Sequence, residues 1–68
     1  MEDLIRMRTI RFIRATTVYD LKNKRICLPQ GTIINDVKEI HECSQNYFDI
    51  ITEKCTFVGV CQTNFTLI

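Results

Sequence analysis

The sequence feature that most limits the possible folds is a series of short segments rich in β-branched and aromatic residues, separated by polar turns. Five such segments predict strands. They cover residues 10–21, 32–37, 47–52, 56–61 and 65–68. So many short strands favour a small barrel or two packed sheets, because closure protects the strand edges. The sequence therefore predicts a mainly β fold, either a small five-stranded barrel or a pair of packed sheets.

The segments between these strands predict loops and turns. Residues 20–25 are polar and predict a loop. Residues 26–28 show a brief alternation of side chains before the next turn. Residues 29–31 combine a proline with a glycine and predict a turn. Residues 38–46 are charged and polar, which favours a loop with one helical turn. Residues 1–9 favour a short helix or turn, because Glu2 and Asp3 suit the first turn of a helix, and an extension of the first strand is the alternative.

Length and composition predict one small folded domain. The chain has 68 residues, with 46% apolar and 25% charged side chains, as globular proteins do. A domain this small removes only about 60% of its unfolded-state surface from water, so its core is thin. The longest run of apolar residues and glycine, residues 57–61, is far shorter than the ~20 residues of a membrane span. The start of the chain does not resemble a secretory signal, which favours a cytoplasmic location.

Four cysteines occur without any Cys-x-x-Cys pair, and a cytoplasmic location favours reduced thiols. Two disulfides remain an alternative, because the cysteine number is even in a short chain. A zinc site is a second alternative, formed by His41, Cys43, Cys55 and Cys27. We predict neither a metal nor a cofactor.

A catalytic role is not expected. Ser44 lies near His41 and Cys43 in the sequence. A nucleophile and a base, however, also need a third orienting group and a concave pocket, for which a small barrel leaves little room. The sequence predicts a protein that is not an enzyme.

Charge is unevenly distributed along the chain. Residues 1–30 contain seven basic and three acidic side chains, whereas residues 31–68 contain two basic and five acidic ones. The basic half could bind an acidic partner, or the two halves could form cross-strand ion pairs within the fold.

Four landmarks follow one another in a characteristic order. They are Thr-Val-Tyr-Asp-Leu at residues 17–21, Ile-Cys-Leu-Pro-Gln-Gly at 26–31, Tyr-Phe at 47–48 and Gly-Val-Cys-Gln-Thr-Asn-Phe at 59–65. This order resembles SH3-like barrel domains, including prokaryotic and viral ones, over residues 12–68. The main matching residues are Tyr19, Asp20, Gly31, Gly59 and Asn64. Residues 1–11 form a basic N-terminal segment outside the resemblance, which suggests a second contact surface or a homo-oligomer.

The resemblance implies a binding groove that this chain keeps only in part. Tyr19 is retained, Tyr47 stands where the family has a tryptophan, Gln62 stands for a proline and Phe65 for a final tyrosine, while Leu21 replaces a second tyrosine. The neighbouring loop, acidic in the signalling family, is basic here. It would repel a basic proline-rich peptide and favour an anionic partner.

The sequence therefore predicts a small protein-protein interaction module, an adaptor or an inhibitor or other regulator of a larger protein. Its expected contact residues combine aromatic and basic side chains, as binding hot spots do. They are Tyr19, Lys22, Lys24, Arg25, Tyr47, Asn64 and Phe65.

The alternative is a small nucleic-acid-binding barrel that uses cations and stacking tyrosines. Its expected residues are Arg6, Arg8, Arg11, Arg14, Lys22, Lys24 and Arg25. The isoelectric point of about 7.7 lies below the value above about 9 of strongly basic nucleic-acid binders. Binding to a membrane is not expected.

Overall fold

The computed structural model describes residues 7–68, which form seven strands and one short 3-10 helix. The strands are β1 (Arg8–Phe12), β2 (Thr16–Tyr19), β3 (Arg25–Leu28), β4 (Ile33–Ser44), β5 (Tyr47–Thr52), β6 (Thr56–Cys61) and β7 (Phe65–Leu67), and the 3-10 helix covers Gln62–Asn64. They form one antiparallel sheet in the order β3-β2-β6-β5-β4-β1-β7. The predicted mainly β class is confirmed. The described chain forms seven strands in an open sheet, rather than the five closed strands expected from the sequence.

The predicted first strand over residues 10–21 is in fact two strands. β1 pairs with β4 and β7, whereas β2 pairs with β3 and β6. Between them, the amide of Ile13 donates to the carbonyl of Asn64 at 2.9 Å, and the Thr16 hydroxyl donates to the Arg14 carbonyl at 2.8 Å. Through this break the chain passes from β1, next to the β7 edge of the sheet, to β2, next to the β3 edge.

The N-terminal expectation is also corrected where the structure describes it. β1 begins at Arg8, so residues 8 and 9 extend the sheet instead of forming a helix or turn. The boundary expected between the basic N-terminal segment, residues 1–11, and the barrel domain, residues 12–68, falls inside this strand. Met7 precedes the strand, and the rest of the expectation concerns residues 1–6, which lie outside the described residues.

The loop with a helical turn expected over residues 38–46 is wrong, because β4 continues through this segment to Ser44. Pairing with β5 holds the polar segment extended, with Ile40 opposite Ile50 and His41 opposite Asp49. The hairpin closes through Asn46, whose φ is 68°. Asparagine tolerates this left-handed conformation better than most residues. Tertiary pairing has therefore overridden a weak local helix signal.

The later elements agree closely with the sequence pattern. β5 and β6 have the predicted bounds, and β7 ends one residue earlier than expected. The polar residues between β6 and β7 form the 3-10 helix. These strands have clear turn signals at both ends, which is why their limits were predictable.

One hydrophobic core lies on the inner face of the sheet. Its seven buried members come from β1, β2, β4, β5 and β6: Ile10, Phe12, Val18, Val37, Ile50, Phe57 and Val60. Each such side chain contributes about 1.5–3 kcal/mol when fully buried. Phe65 of β7 extends the core, with its ring centroid 6.1 Å from that of Phe12 and 6.3 Å from that of Phe48.

All four cysteines are free thiols in the structure. His41, Cys43, Cys55 and Cys27 do not assemble into the zinc site considered above, and residues 7–68 contain no group of three potential metal ligands. Within the same residues, no helix is long and apolar enough to cross a membrane.

Candidate functional site

Two tyrosines and a valine lie exposed on the outer face of the sheet, opposite the core. Side chains alternate between the faces of a strand, so Tyr19 lies on the face opposite buried Val18, and Val58 on the face opposite buried Phe57. Tyr19 and Val58 are register partners on adjacent strands. Tyr47 is exposed to 45%, similar to Tyr19 at 44%, and is the partner of Cys61 in β6.

These three side chains define a surface, the tyrosine face (Tyr19, Val58 and Tyr47). The two tyrosines lie on β2 and β5, the strands on either side of β6, and their β6 partners are Val58 and Cys61. Two strand spacings of about 4.8 Å and three residues of about 3.3 Å separate the two backbone positions by roughly 14 Å. That distance corresponds to about four residues of an extended peptide.

A basic hairpin loop, residues 20–25, borders the tyrosine face at Tyr19. One carboxylate oxygen of Asp20 accepts the backbone N–H groups of Lys22 at 2.9 Å and Lys24 at 2.8 Å. Asn23 adopts a φ of 65° between them. The loop therefore has a defined conformation that presents Lys22 and Lys24 beside Arg25, the cross-strand partner of Tyr19.

The basic side chains of this loop have no acidic partner within the described part of the chain. The ion pairs among residues 7–68 join Lys38 to Glu53 at 3.8 Å and His41 to Glu39. Within residues 7–68, the basic side chains of this loop therefore do not form the cross-strand ion pairs with the acidic half that were an alternative from the sequence. Lys22, Lys24 and Arg25 leave a positive charge at this end of the tyrosine face.

A second cation lies near the other end of the tyrosine face, beside Cys61. The Cys61 sulfur is 3.2 Å from the Thr63 hydroxyl. Hydrogen bonds from the side chain and backbone of Thr63 lower the pKa of the Cys61 thiol, and the nearby Arg14 guanidinium lowers it further. Because Cys61 is the register partner of Tyr47, Arg14 lies close to that tyrosine's end of the face. Sequence reasoning missed the connection, since Arg14 and Cys61 are far apart in the chain.

Asn64 and Phe65 were expected beside the tyrosines but occupy different surroundings. The Asn64 carbonyl accepts the Ile13 amide, so its backbone supports the break between β1 and β2. Phe65 is the register partner of buried Phe12 and therefore lies on the inner face. The structure brings Tyr19, Arg25 and Tyr47 to the outer face of the sheet and Phe65 to the inner face, while Lys22 and Lys24 lie in the loop next to Tyr19.

The inner face also contains an open cavity of about 510 Å³ at the end of the sheet near β7. Its apolar walls come from Ile40, Phe48, Phe65 and Leu67, with Arg8 as the cation. Gln62 and Thr66 complete the lining. From the sequence, Arg8 was expected in the nucleic-acid alternative and Phe65 on the protein-binding surface, and no local pattern indicated that the two residues line one cavity.

The basic residues of the nucleic-acid alternative are distributed over several parts of the fold. Arg8 lines the inner cavity, and Arg11 is exposed on β1 opposite Ile33 and Thr66. Arg14 lies near Cys61, and the basic hairpin loop extends from the other end of the tyrosine face. Arg6 lies outside the described residues.

Comparison with known proteins gives no further indication of what this surface binds. No protein-family model, no curated protein and no solved structure matches the chain.

Proposed function

We propose that the chain is a small, non-catalytic protein-binding module, an adaptor or regulator that docks on a larger protein through its tyrosine face. The observation that carries this proposal is the exposure of Tyr19, Val58 and Tyr47 on one face of three adjacent strands. Tyrosine supplies a large contact area at a low conformational entropy cost, and it is enriched at binding hot spots.

The surrounding charge favours an acidic partner. Lys22, Lys24 and Arg25 lie at the Tyr19 end of the face, and Arg14 lies near the Tyr47 end. None of these four forms an ion pair with another residue in the range 7–68. Complementary charge speeds association and excludes partners of the wrong charge. An extended segment with acidic residues flanking a central apolar contact fits this arrangement.

The finer proposal is that this sheet is a variant of the SH3-like barrel. It rests on the order of sequence landmarks over residues 12–68, with Tyr19 and Tyr47 at positions where the family uses aromatic side chains. The basic loop argues for a ligand unlike the proline-rich peptides of the signalling family, whose arginine requires an acidic loop.

Comparative capture from an extract of the source cell tests the protein-binding function. Wild-type protein, a Tyr19→Ala/Tyr47→Ala double variant and an Ile33→Ala control would be immobilised, and the captured proteins quantified by mass spectrometry. Ile33 is exposed to 57% on β4, away from the tyrosine face. We expect a protein that wild type and the control capture equally and the double variant loses at least tenfold, since a hot-spot side chain contributes about 2 kcal/mol or more. Equal capture by all three would reject the tyrosine face.

Nucleic-acid binding is the second candidate function, supported by the cations that lack acidic partners within residues 7–68. It predicts an affinity for DNA or RNA that falls steeply with salt, because several phosphate contacts release counterions. Titration at several salt concentrations checks this. A flat salt response, or the absence of binding, would reject this candidate and leave the protein partner.

A further inference from the structure

The cavity on the inner face is separate from the tyrosine face and has the composition of a ligand site. Its volume of about 510 Å³ falls within the range of about 300–1,000 Å³ typical of small-molecule sites. Such sites are mostly apolar and carry a few polar groups that orient the ligand. The cavity has both features, because two phenylalanines and two aliphatic side chains accompany Arg8 and Gln62.

The aromatic wall of the cavity is fixed by the core. The rings of Phe48 and Phe65 meet edge to face, with an interplanar angle of 87°, and Phe65 also packs against fully buried Phe12. Phe48 and Phe65 are each half-buried, so part of each ring remains available to a ligand. The apolar wall is therefore built before a ligand arrives, which limits the entropy lost on binding.

The charge in the cavity favours an anion. Arg8 belongs to no ion pair with any residue between 7 and 68, and the cavity lining contains no carboxylate. A guanidinium presents several N–H donors in a planar fork, which suits a carboxylate held by two parallel hydrogen bonds. Gln62 adds an amide to the lining.

We propose that this cavity binds a small carboxylic acid with an apolar body, its tail against Phe48 and Phe65 and its carboxylate at Arg8. The proposal goes beyond the protein-binding function, because it concerns the opposite face of the sheet and different side chains. The chain would then carry a ligand site in addition to its docking surface.

Octanoate is the probe for this site, titrated into the isotopically labelled full chain and followed by NMR. Octanamide matches its length without the charge, and acetate matches its charge without the tail. We expect saturable shifts at Ile40, Phe48, Phe65 and Leu67 with octanoate, and affinity at least about tenfold weaker for octanamide, which lacks the charged hydrogen bonds. Across butanoate, hexanoate and octanoate, each further buried methylene should tighten binding by about fourfold.

Two matched pairs of variants locate the site. Arg8→Gln should weaken octanoate binding by about tenfold or more, whereas Arg11→Gln on the same strand, outside the cavity lining, should change it by less than about twofold. Leu67→Asp places a negative charge beside the cavity and should weaken binding, whereas Leu21→Asp in the basic hairpin loop should not. Both leucines are exposed, at 56% and 77%, so both variants should fold.

Three results would overturn the proposal. They are the absence of saturable binding, equal affinity for octanoate and octanamide, and shifts confined to the basic hairpin loop. Tyr19→Ala separates this site from the protein-binding function, since it should leave octanoate affinity unchanged while it weakens capture of the protein partner. Loss of octanoate binding in Tyr19→Ala would contradict the assignment to the inner cavity.

Discussion

The hydroxyl of Thr52 is predicted to stabilise the turn between β5 and β6, and Thr52→Val tests this. Thr52 is buried, with 7% of its surface exposed. Its hydroxyl donates to the Cys55 carbonyl at 2.9 Å and accepts the amides of Cys55 at 3.0 Å and Lys54 at 3.2 Å. Valine has a similar shape and removes all three hydrogen bonds.

The expected loss is worked from these contacts. The Cys55 carbonyl keeps a hydrogen bond from the Thr52 amide at 2.8 Å, so the principal loss falls on the two amides that donate to the hydroxyl. At about 1 kcal/mol for each, the free energy of unfolding falls by about 2 kcal/mol. A chain of this size has a total stability of about 3–10 kcal/mol, so this is a large fraction of it.

Urea unfolding followed by circular dichroism measures the effect. For a slope of about 1 kcal/mol per molar urea, the midpoint should fall by about 2 M in Thr52→Val. Thr52→Ser keeps the hydroxyl and loses one methyl group, which should lower stability by about 0.8 kcal/mol. Thr17→Val, at an exposed position of β2, controls for the substitution itself. A smaller loss for Thr52→Val than for Thr52→Ser would refute the role of these hydrogen bonds.

Three further changes test the basic hairpin loop, a glycine with a positive φ in β6 and the Cys61 thiol. Asp20→Ala should weaken partner capture severalfold while the sheet stays folded, because its carboxylate holds two amides of the basic hairpin loop; circular dichroism and capture check this. Gly59→Ala should lower the unfolding free energy by about 1–2 kcal/mol in a urea titration, because φ is 66° although the added methyl meets no atom within 4 Å. In Thr63→Val, the pH at which Cys61 becomes half-alkylated should rise, because the hydrogen bond that lowers the thiol pKa is lost; unchanged pH dependence would contradict this.

The sequence predicted the elements whose ends carry local signals. β5 and β6 lie between clear turns, and the segment around Pro29 and Gly31 turns as expected. The break at residues 13–15 was missed because alternation continues across it, with Phe12, Thr16 and Val18 all buried on one parity. Strand alternation indicates which face a residue occupies, but it does not show where the chain changes partner strands.

Long-range pairing explains the other differences. The strand through Lys38–Ser44 depends on β5 as a partner, which a local reading of its charged residues cannot supply. The approach of Tyr19 and Tyr47 on either side of β6 is likewise a consequence of strand order. Only the SH3-like resemblance predicted that the two tyrosines share an exposed surface. It also predicted Phe65 on that surface, but Phe65 packs against Phe12 on the inner face.

The most direct test of the central claim, that the tyrosine face binds an acidic protein segment, is a selection from a random peptide library displayed on phage. Wild type and the Tyr19→Ala/Tyr47→Ala variant would be used side by side, with Ile33→Ala as the control. We predict that wild type and the control enrich acidic peptides containing an apolar residue, and that the double variant does not. Enrichment of the same peptides by the double variant, or of basic proline-rich peptides by wild type, would contradict the claim.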